Sequence, residues 1–223
     1  MGPRVLEVDA MNVMGARPVV VIGAGGHAKV AVSTLMAAGF TVLALYDDDV
    51  SRQAQSILGI PVRGPVSEAR GIGWRTIVAL GDNDIRQAVV ARLKNDWATA
   101  VHPQAFVEPS ASLGEGTLVF AGAVIQPCAT LGRHCIANTG VRIDHDVQIG
   151  DFAHIAPGAV LTGSVVVRDR VLVGAGAVVT PGREIGAGAI VGAGAVVVDD
   201  VPADAVVRGV PAQIARMRQG WSA

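Results

Sequence analysis

The chain has 223 residues, with 18 Lys+Arg against 19 Asp+Glu and a formal net charge of -1, so it lacks the overall attraction that a nucleic-acid partner requires. Hydrophobic residues make up 51% and aromatic ones only 4%, which gives a core of Val, Ala, Leu and Ile between 28 glycines, enough for one large domain or two small ones. Cys128 and Cys135 form neither a CxxC pair nor a disulfide framework, which points to a reducing compartment, the cytoplasm.

Residues 1–17 carry Glu7 and Asp9 where a signal peptide needs an unbroken apolar run, so they read as a ragged leader. No window approaches the roughly 20 uninterrupted apolar residues of a membrane span, and no membrane insertion is expected. From Pro18 to about Val101, short apolar runs alternate with helical stretches. Residues 19–22 predict a strand, GAGG a turn, and His27 to Ala38 a helix closed by Gly39. A second strand over 41–46 ends at Asp47-Asp48-Asp49, and a third covers 75–80. After Gly81-Asp82-Asn83, with Asn83 as N-cap, DIRQAVVARLKND predicts an amphipathic helix. Strands alternating with helices imply a small parallel α/β sheet, here a domain over 18–101.

From Val107 the period becomes six. Aliphatic residues recur at Val107, Leu113, Val119, Ile125 and Leu131, then from Ile143 through Ile149 and Ile155 to Val197, with Ala137 the only interruption. Four residues after each, the side chain is small or β-branched, as at Ala111, Thr117, Ala123 and Ala129; Arg183 departs from this rule. So short and sustained a repeat predicts a solenoid of turns and short strands.

The hexads LGEGTL, IGDFAH, VGAGAV and IGAGAI resemble the left-handed parallel β-helix of hexapeptide-repeat acyltransferases. The resemblance implies three hexads per triangular coil, five coils over 107–196 within a domain over 102–216, a short tail over 217–223, and a homotrimer with active sites between neighbouring β-helices.

Gly23-Ala24-Gly25-Gly26-His27 follows a strand and opens a helix, with Asp47 about 20 residues on, which imitates a dinucleotide fingerprint. The physics asks only for backbone N–H groups near a phosphate, so a dinucleotide, a nucleotide sugar and a merely structural turn all fit. The short stretch over 18–101 supplies only one mononucleotide-binding half (a half-Rossmann unit) before the β-helix begins, which argues against a dinucleotide.

GAGGHAKV, YDDD and ALGDNDIR followed by hexads resemble sugar O-acyltransferases of the sialic acid O-acetyltransferase type. Within that group the chain is most similar to acetyl-CoA-dependent N-acetyltransferases of UDP- or GDP-linked 4-amino-4-deoxy sugars, enzymes of glycan synthesis. Matched position by position, the resemblance implies nucleotide-sugar contacts at Gly25, Gly26, His27, Asp47, Asp48 and Gly81. The blander reading of Asp47 to Asp49 is a solvated turn.

Acetyl transfer to an amine needs a base for the departing proton, and histidine titrates in the right range. His145, in Ile143-Asp144-His145-Asp146, falls where the hexad register predicts an outward turn side chain, with a carboxylate on either side to orient the ring or raise its basicity. The stretch IANTGVRIDHDVQIGDFAHIAPGAV is similar to the family's active-site segment. That similarity implies His145 as general base, Asp146 as its acidic neighbour, Asn138 as completing the site, and His154 beside the acetyl-CoA thioester. It also implies acetyl-CoA contacts at Ala175 and Ala193. His102 reads as linker and His134 as an ordinary turn residue. O-acetylation of a sugar hydroxyl is the alternative activity. A zinc-dependent carbonic anhydrase of this fold would need an H-x4-H pair, and spacings of 11 (His134 to His145) and 9 (His145 to His154) do not supply it, so no metal is expected.

Overall fold

Val19, Val20, Val21 and Ile22 are wholly buried and form the centre of the first unit in the computed structural model, which describes residues 17–218. Apart from Arg17, Met217 and Arg218, the leader and tail expected from sequence lie outside the described residues. The strand β1 (Arg17–Ile22) pairs in parallel with β2 (Phe40–Tyr46) and β5 (Arg75–Val78), and β2 pairs in parallel with β4 (Ile60–Gly64). The sheet order is β3-β4-β2-β1-β5, where β3 (Ser56–Ile57) is an antiparallel hairpin partner of β4 that the sequence did not announce. Its turn uses Leu58 and Gly59, both at positive φ, in place of the Asn-Gly that marks such turns.

Helix α1 (Gly26–Ala37) covers one face of the sheet through Ala28, Ala31, Val32 and Leu35, against Val19 and Val21. Helix α2 (Asn83–Arg92) places Val89 with Val20 and Ile22 on the other face. Both faces are therefore covered, as a parallel sheet requires. The cap of α2 is Asp82, whose Oδ1 accepts the Ile85 N–H at 2.9 Å, and not Asn83 as expected. The helix stops at Arg92 because Leu93 turns into the core, so the expected run to Asp96 is too long.

Downstream, two-residue strands stack into three parallel faces. On the first, Val107, Ile125, Ile143, Leu161, Val179 and Val197 stand in register; on the second, Leu113, Leu131, Ile149, Val167 and Ile185; on the third, Val119, Ala137, Ile155, Val173, Val191 and Val207. These side chains fill one continuous core. The six-residue period is thus a parallel β-helix in which three hexads close each coil. Arg183 falls where the repeat ends: Ile185 bridges to Val201, where the register would have brought Ala203, so the next coil is shortened. The Arg183 side chain leaves the core there and donates to the Pro181 carbonyl.

The third face differs from the others in what covers it. Leu118, Phe120 and Ile136 point away from the β-helix core and are buried against α1, in one cluster with Ala28, Ala31 and Leu35. Burial of side chains of that size contributes about 1.5–3 kcal/mol each, which fixes the α/β unit to this face. His154, the next residue up the same column, is 9% exposed for the same reason.

Candidate active site

His145 sits on the corner between Arg142–Ile143 and Gln148–Ile149, with its side chain exposed as the register predicts. Its Nδ1 lies 2.8 Å from Asp146 Oδ2. A carboxylate only accepts, so Nδ1 carries the proton and the Nε2 lone pair is left free. Hydrogen bonding to Asp146, with help from the Asp144 charge, raises the His145 pKa above its ordinary value. Asp146 adopts φ +59°, the left-handed conformation that corners at Gly140, Gly158 and Gly176 also use. The stacked corner residues one coil before and after, Cys128 and Ser164, take it too, so the conformation does not itself require glycine here. Asp144 is used differently: its Oδ1 accepts the His145 backbone N–H at 2.8 Å.

Asn138 does not join this pair. Its Nδ2 donates to His154 Nε2 at 2.9 Å while its Oδ1 accepts the Thr139 N–H. On the other side of the ring, His154 Nδ1 donates to the Gly81 carbonyl at 3.1 Å. Both nitrogens are thereby committed and the tautomer is fixed. Burial, reinforced by the Arg86 charge, lowers the His154 pKa to about 4, so the ring is neutral and has no lone pair to offer as a base. His27 stands beside it, ring centroids 5.8 Å apart, and also packs on Phe120. Its Nε2 is buried with no hydrogen-bond partner among the described residues, and desolvation lowers its pKa to about 4. The structure therefore gathers Asn138, His154, Gly81 and His27 at the seam between the two units, and leaves His145 and Asp146 on a different corner.

The glycine turn is held from inside. Asp47 is buried and its Oδ2 accepts the Ala24 N–H at 2.7 Å, while its Oδ1 accepts the Asp49 N–H at 2.8 Å. Gly25 caps α1 without any side-chain hydrogen bond. Asp48 turns away, with Oδ1 accepting the Val66 N–H and Oδ2 pairing with Arg92 at 3.3 Å. The sequence reading missed Arg52, which bridges Asp47 and Asp49 at 3.1 Å each and lies 3.1 Å from where a Cβ on Gly25 would be. A lone arginine in a loop carries no pattern that could have revealed it.

Ala175 and Ala193 are exposed and stacked one coil apart, the Gly194 N–H bonding the Ala175 carbonyl at 2.9 Å. Beside them a Cβ on Gly174 would lie 2.5 Å from the Ala193 nitrogen, so this wall presents backbone and no bulky side chain. His134, read from sequence as an ordinary turn residue, is 2% exposed, stacked on Phe152 at 5.1 Å and met edge-on by Trp97 at 4.7 Å. No described helix is long and apolar enough to cross a membrane.

The PglD N-terminal domain family matches residues 18–93. A histidine-to-asparagine variant of perosamine N-acetyltransferase from Caulobacter crescentus, solved with CoA and GDP-perosamine, is 41% identical with a TM-score of 0.85, over 91% of this chain and 98% of that one. The acetyltransferase domain of PglB from Neisseria gonorrhoeae, solved with acetyl coenzyme A, is 36% identical with a TM-score of 0.83, over 90% and 100%. UDP-N-acetylbacillosamine N-acetyltransferase from Bacillus subtilis (strain 168) is 40% identical over 112 residues, which span 46% of this chain and 51%, about half, of that curated relative.

Proposed function

Because the chain belongs to the hexapeptide-repeat family of nucleotide-amino-sugar N-acetyltransferases, we propose that it moves the acetyl group of acetyl-CoA onto the 4-amino group of a UDP- or GDP-linked amino-deoxy sugar, with His145 as general base. The observation that carries the assignment is the exposed His145–Asp146 pair, 2.8 Å apart, with Nε2 free. As the sugar nitrogen bonds to the acetyl carbon, Nε2 takes the proton from nitrogen and Asp146 holds the imidazolium so formed; the carbon–sulfur bond breaks to expel CoA as thiolate, which takes that proton and leaves as the thiol.

The remaining roles follow the same division. His154, neutral and saturated, lies beside the thioester as a fixed surface and exchanges no proton. The small column at Ala175 and Ala193 receives acetyl-CoA through backbone groups. The uncapped start of α1, with Gly25, Gly26 and His27, receives the pyrophosphate, where the helix field favours an anion. Gly81 closes the sugar side. Asp47 serves this site by shaping the turn, since its carboxylate already holds the Ala24 N–H, whereas Asp48 is occupied by Val66 and Arg92 behind it. In this reading residues 18–101 form the nucleotide-sugar domain and 102–216 the acetyltransferase domain.

His145 stands on the corner between the first and second faces, whereas Asn138, Ala175 and Ala193 stand on the corner between the third and first. A site that uses both is assembled from two copies, and a homotrimer supplies three such clefts. The two free cysteines, Cys128 and Cys135, fit work in the cytoplasm.

The test is an assay against UDP- and GDP-linked 4-amino sugars and their 4-hydroxy counterparts, with detection of the released thiol. Acetyl-CoA consumption with an amino sugar and none with the hydroxy sugar is expected. Preference for the hydroxyl would transfer the reading to O-acetylation, and no turnover with any member would end it. Light scattering at assay concentration tests the assembly, which a fully active monomer would overturn.

A further inference from the structure

Arg86 is 1% exposed, yet no carboxylate among the described residues is within ion-pair distance of it. Its charge is met by neutral oxygens on every side. Nη1 donates to the Leu80 carbonyl at 2.8 Å, with the Gly81 and Asp82 carbonyls at 3.4 Å. Nε donates to the His134 carbonyl at 2.9 Å, and Nη2 to the Phe152 carbonyl at 2.7 Å and to Asn83 Oδ1 at 2.8 Å. The first group belongs to the loop after β5, the His134 and Phe152 carbonyls belong to two consecutive coils of the β-helix, and Asn83 is the first residue of α2. One planar fork therefore spans the seam, a geometry that lysine cannot reproduce.

The positions of those carbonyls give the fork a consequence beyond holding the units together. The loop on one side contains Gly81, whose carbonyl accepts from His154 Nδ1; on the other, the turn residue Phe152 is followed by Ala153 and then by His154, which opens its strand. Arg86 thus fixes both ends of the bond that orients the His154 ring. We propose that Arg86 is a positioning residue for acetyl transfer: it sets the tautomer and orientation of His154 and holds the nucleotide-sugar side in register with the acetyl-CoA wall. This rests on the reading of His154 as the thioester neighbour given above. The charged and titratable groups facing the fork are Asp82 and Asp84 from α2, His134, Cys135 and His154 from the β-helix, and His27 from α1.

The experiment uses the full chain carrying Arg86→Gln or Arg86→Lys, with steady-state kinetics and nitrogen NMR of the His154 imidazole. In wild type, His154 shows one tautomer protonated on Nδ1 at pH 7. In Arg86→Gln a mixed tautomer signal is expected, with kcat down about 10- to 100-fold, the scale of a small displacement at a reacting centre, while the KM for acetyl-CoA moves less than about 3-fold. Should Arg86→Gln fail to fold, Arg86→Lys decides: it keeps the charge but reaches one side of the seam, and kcat still falls by about 5-fold or more. Wild-type kcat in a folded variant, or a tautomer change without loss of kcat, overturns the proposal. The NMR readout needs no turnover, so an unchanged His154 signal defeats it even if the substrate class is wrong.

Discussion

The imidazole of His145 lies over Gly163, one coil further on, so closely that a Cβ at 163 would sit 2.6 Å from both Cε1 and Nε2. Gly163 is not among the glycines at positive φ, so its backbone accepts alanine without strain. The atoms in the way are the end of an exposed side chain, which swings aside at little cost to the fold. Gly163→Ala should therefore lower kcat by about 10-fold or more through displacement of the base, with a melting temperature close to wild type. Unchanged kcat in this variant would show that the ring position does not matter.

Removal of the imidazole is the larger change. His145→Ala should cut kcat by about 100- to 10,000-fold, the usual contribution of a general base, with nucleotide-sugar binding retained by calorimetry. Asn138→Ala should cost less, because it leaves the base intact and removes only one partner of His154.

Asp146 sets where the base titrates. Its hydrogen bond raises the His145 pKa, so if His145 is the base the acid limb of the kcat/KM profile in wild type turns down above the ordinary histidine value. Asp146→Asn weakens the stabilisation of the protonated ring, and the inflection should move down towards about 6.5. An inflection that does not move would dissociate Asp146 from the base.

Gly25→Val places branched carbon against the Arg52 guanidinium and over the start of α1, at a φ of -82° that valine tolerates. The KM for the nucleotide sugar should rise by about 10-fold or more, and that for acetyl-CoA should stay within about 2-fold. Equal losses for both substrates would point to general damage.

Two buried histidines and the half-buried His27 make stability depend on acid. His27, His134 and His154 are each held to about 4 in the fold, chiefly by desolvation, against 6.5 when unfolded. Above pH 6.5 neither state binds these protons and there is no penalty; between 6.5 and 4 the unfolded chain takes them up and the fold does not. Stability should therefore fall as pH drops through that window, by up to about 1.4 kcal/mol per pH unit for each of the well-buried pair His134 and His154. Carboxylates with lowered pKa, such as Asp151, add their losses only below the ordinary carboxylate range. Denaturant titrations from pH 7 to 4.5 measure the slope, and His134→Phe, which keeps the stack on Phe152 without a titrating nitrogen, should flatten it.

The hexad register was legible because each inward aliphatic meets its own kind one coil away, so the contact is written in the period itself. His145 was legible for a related reason: its partner is the adjacent residue. The seam was not. Asn83 bonds the Arg170 and Val171 carbonyls, and His154 bonds the Gly81 carbonyl from the far end of the other unit, through backbone oxygens that every residue type provides. Asn83 looked like the cap of α2 because asparagine caps well, but those distant carbonyls and Arg86 take its side chain, and Asp82 caps instead. Asn138 was expected at the site from resemblance alone, and within this chain its side chain bonds His154, at the corner that follows the strand Ile136–Ala137.

A repeat that matches itself after every coil has no landmark of its own, since sliding the chain by one full coil would exchange like aliphatics for like. The outward side chains break that degeneracy: Phe120, His134 and Phe152 are buried, and Arg86 bonds the carbonyls of the last two. The protein can thus tell where along its screw it stands. An extra coil spliced in after Val197 would lengthen the prism and sacrifice little beyond the Arg218–Asp84 tie of the C-terminal strand. The same coil spliced in between Val101 and Thr117 would leave every hexad satisfied, yet carry the proposed histidine base and its companions one step away from the sheet proposed to receive the sugar.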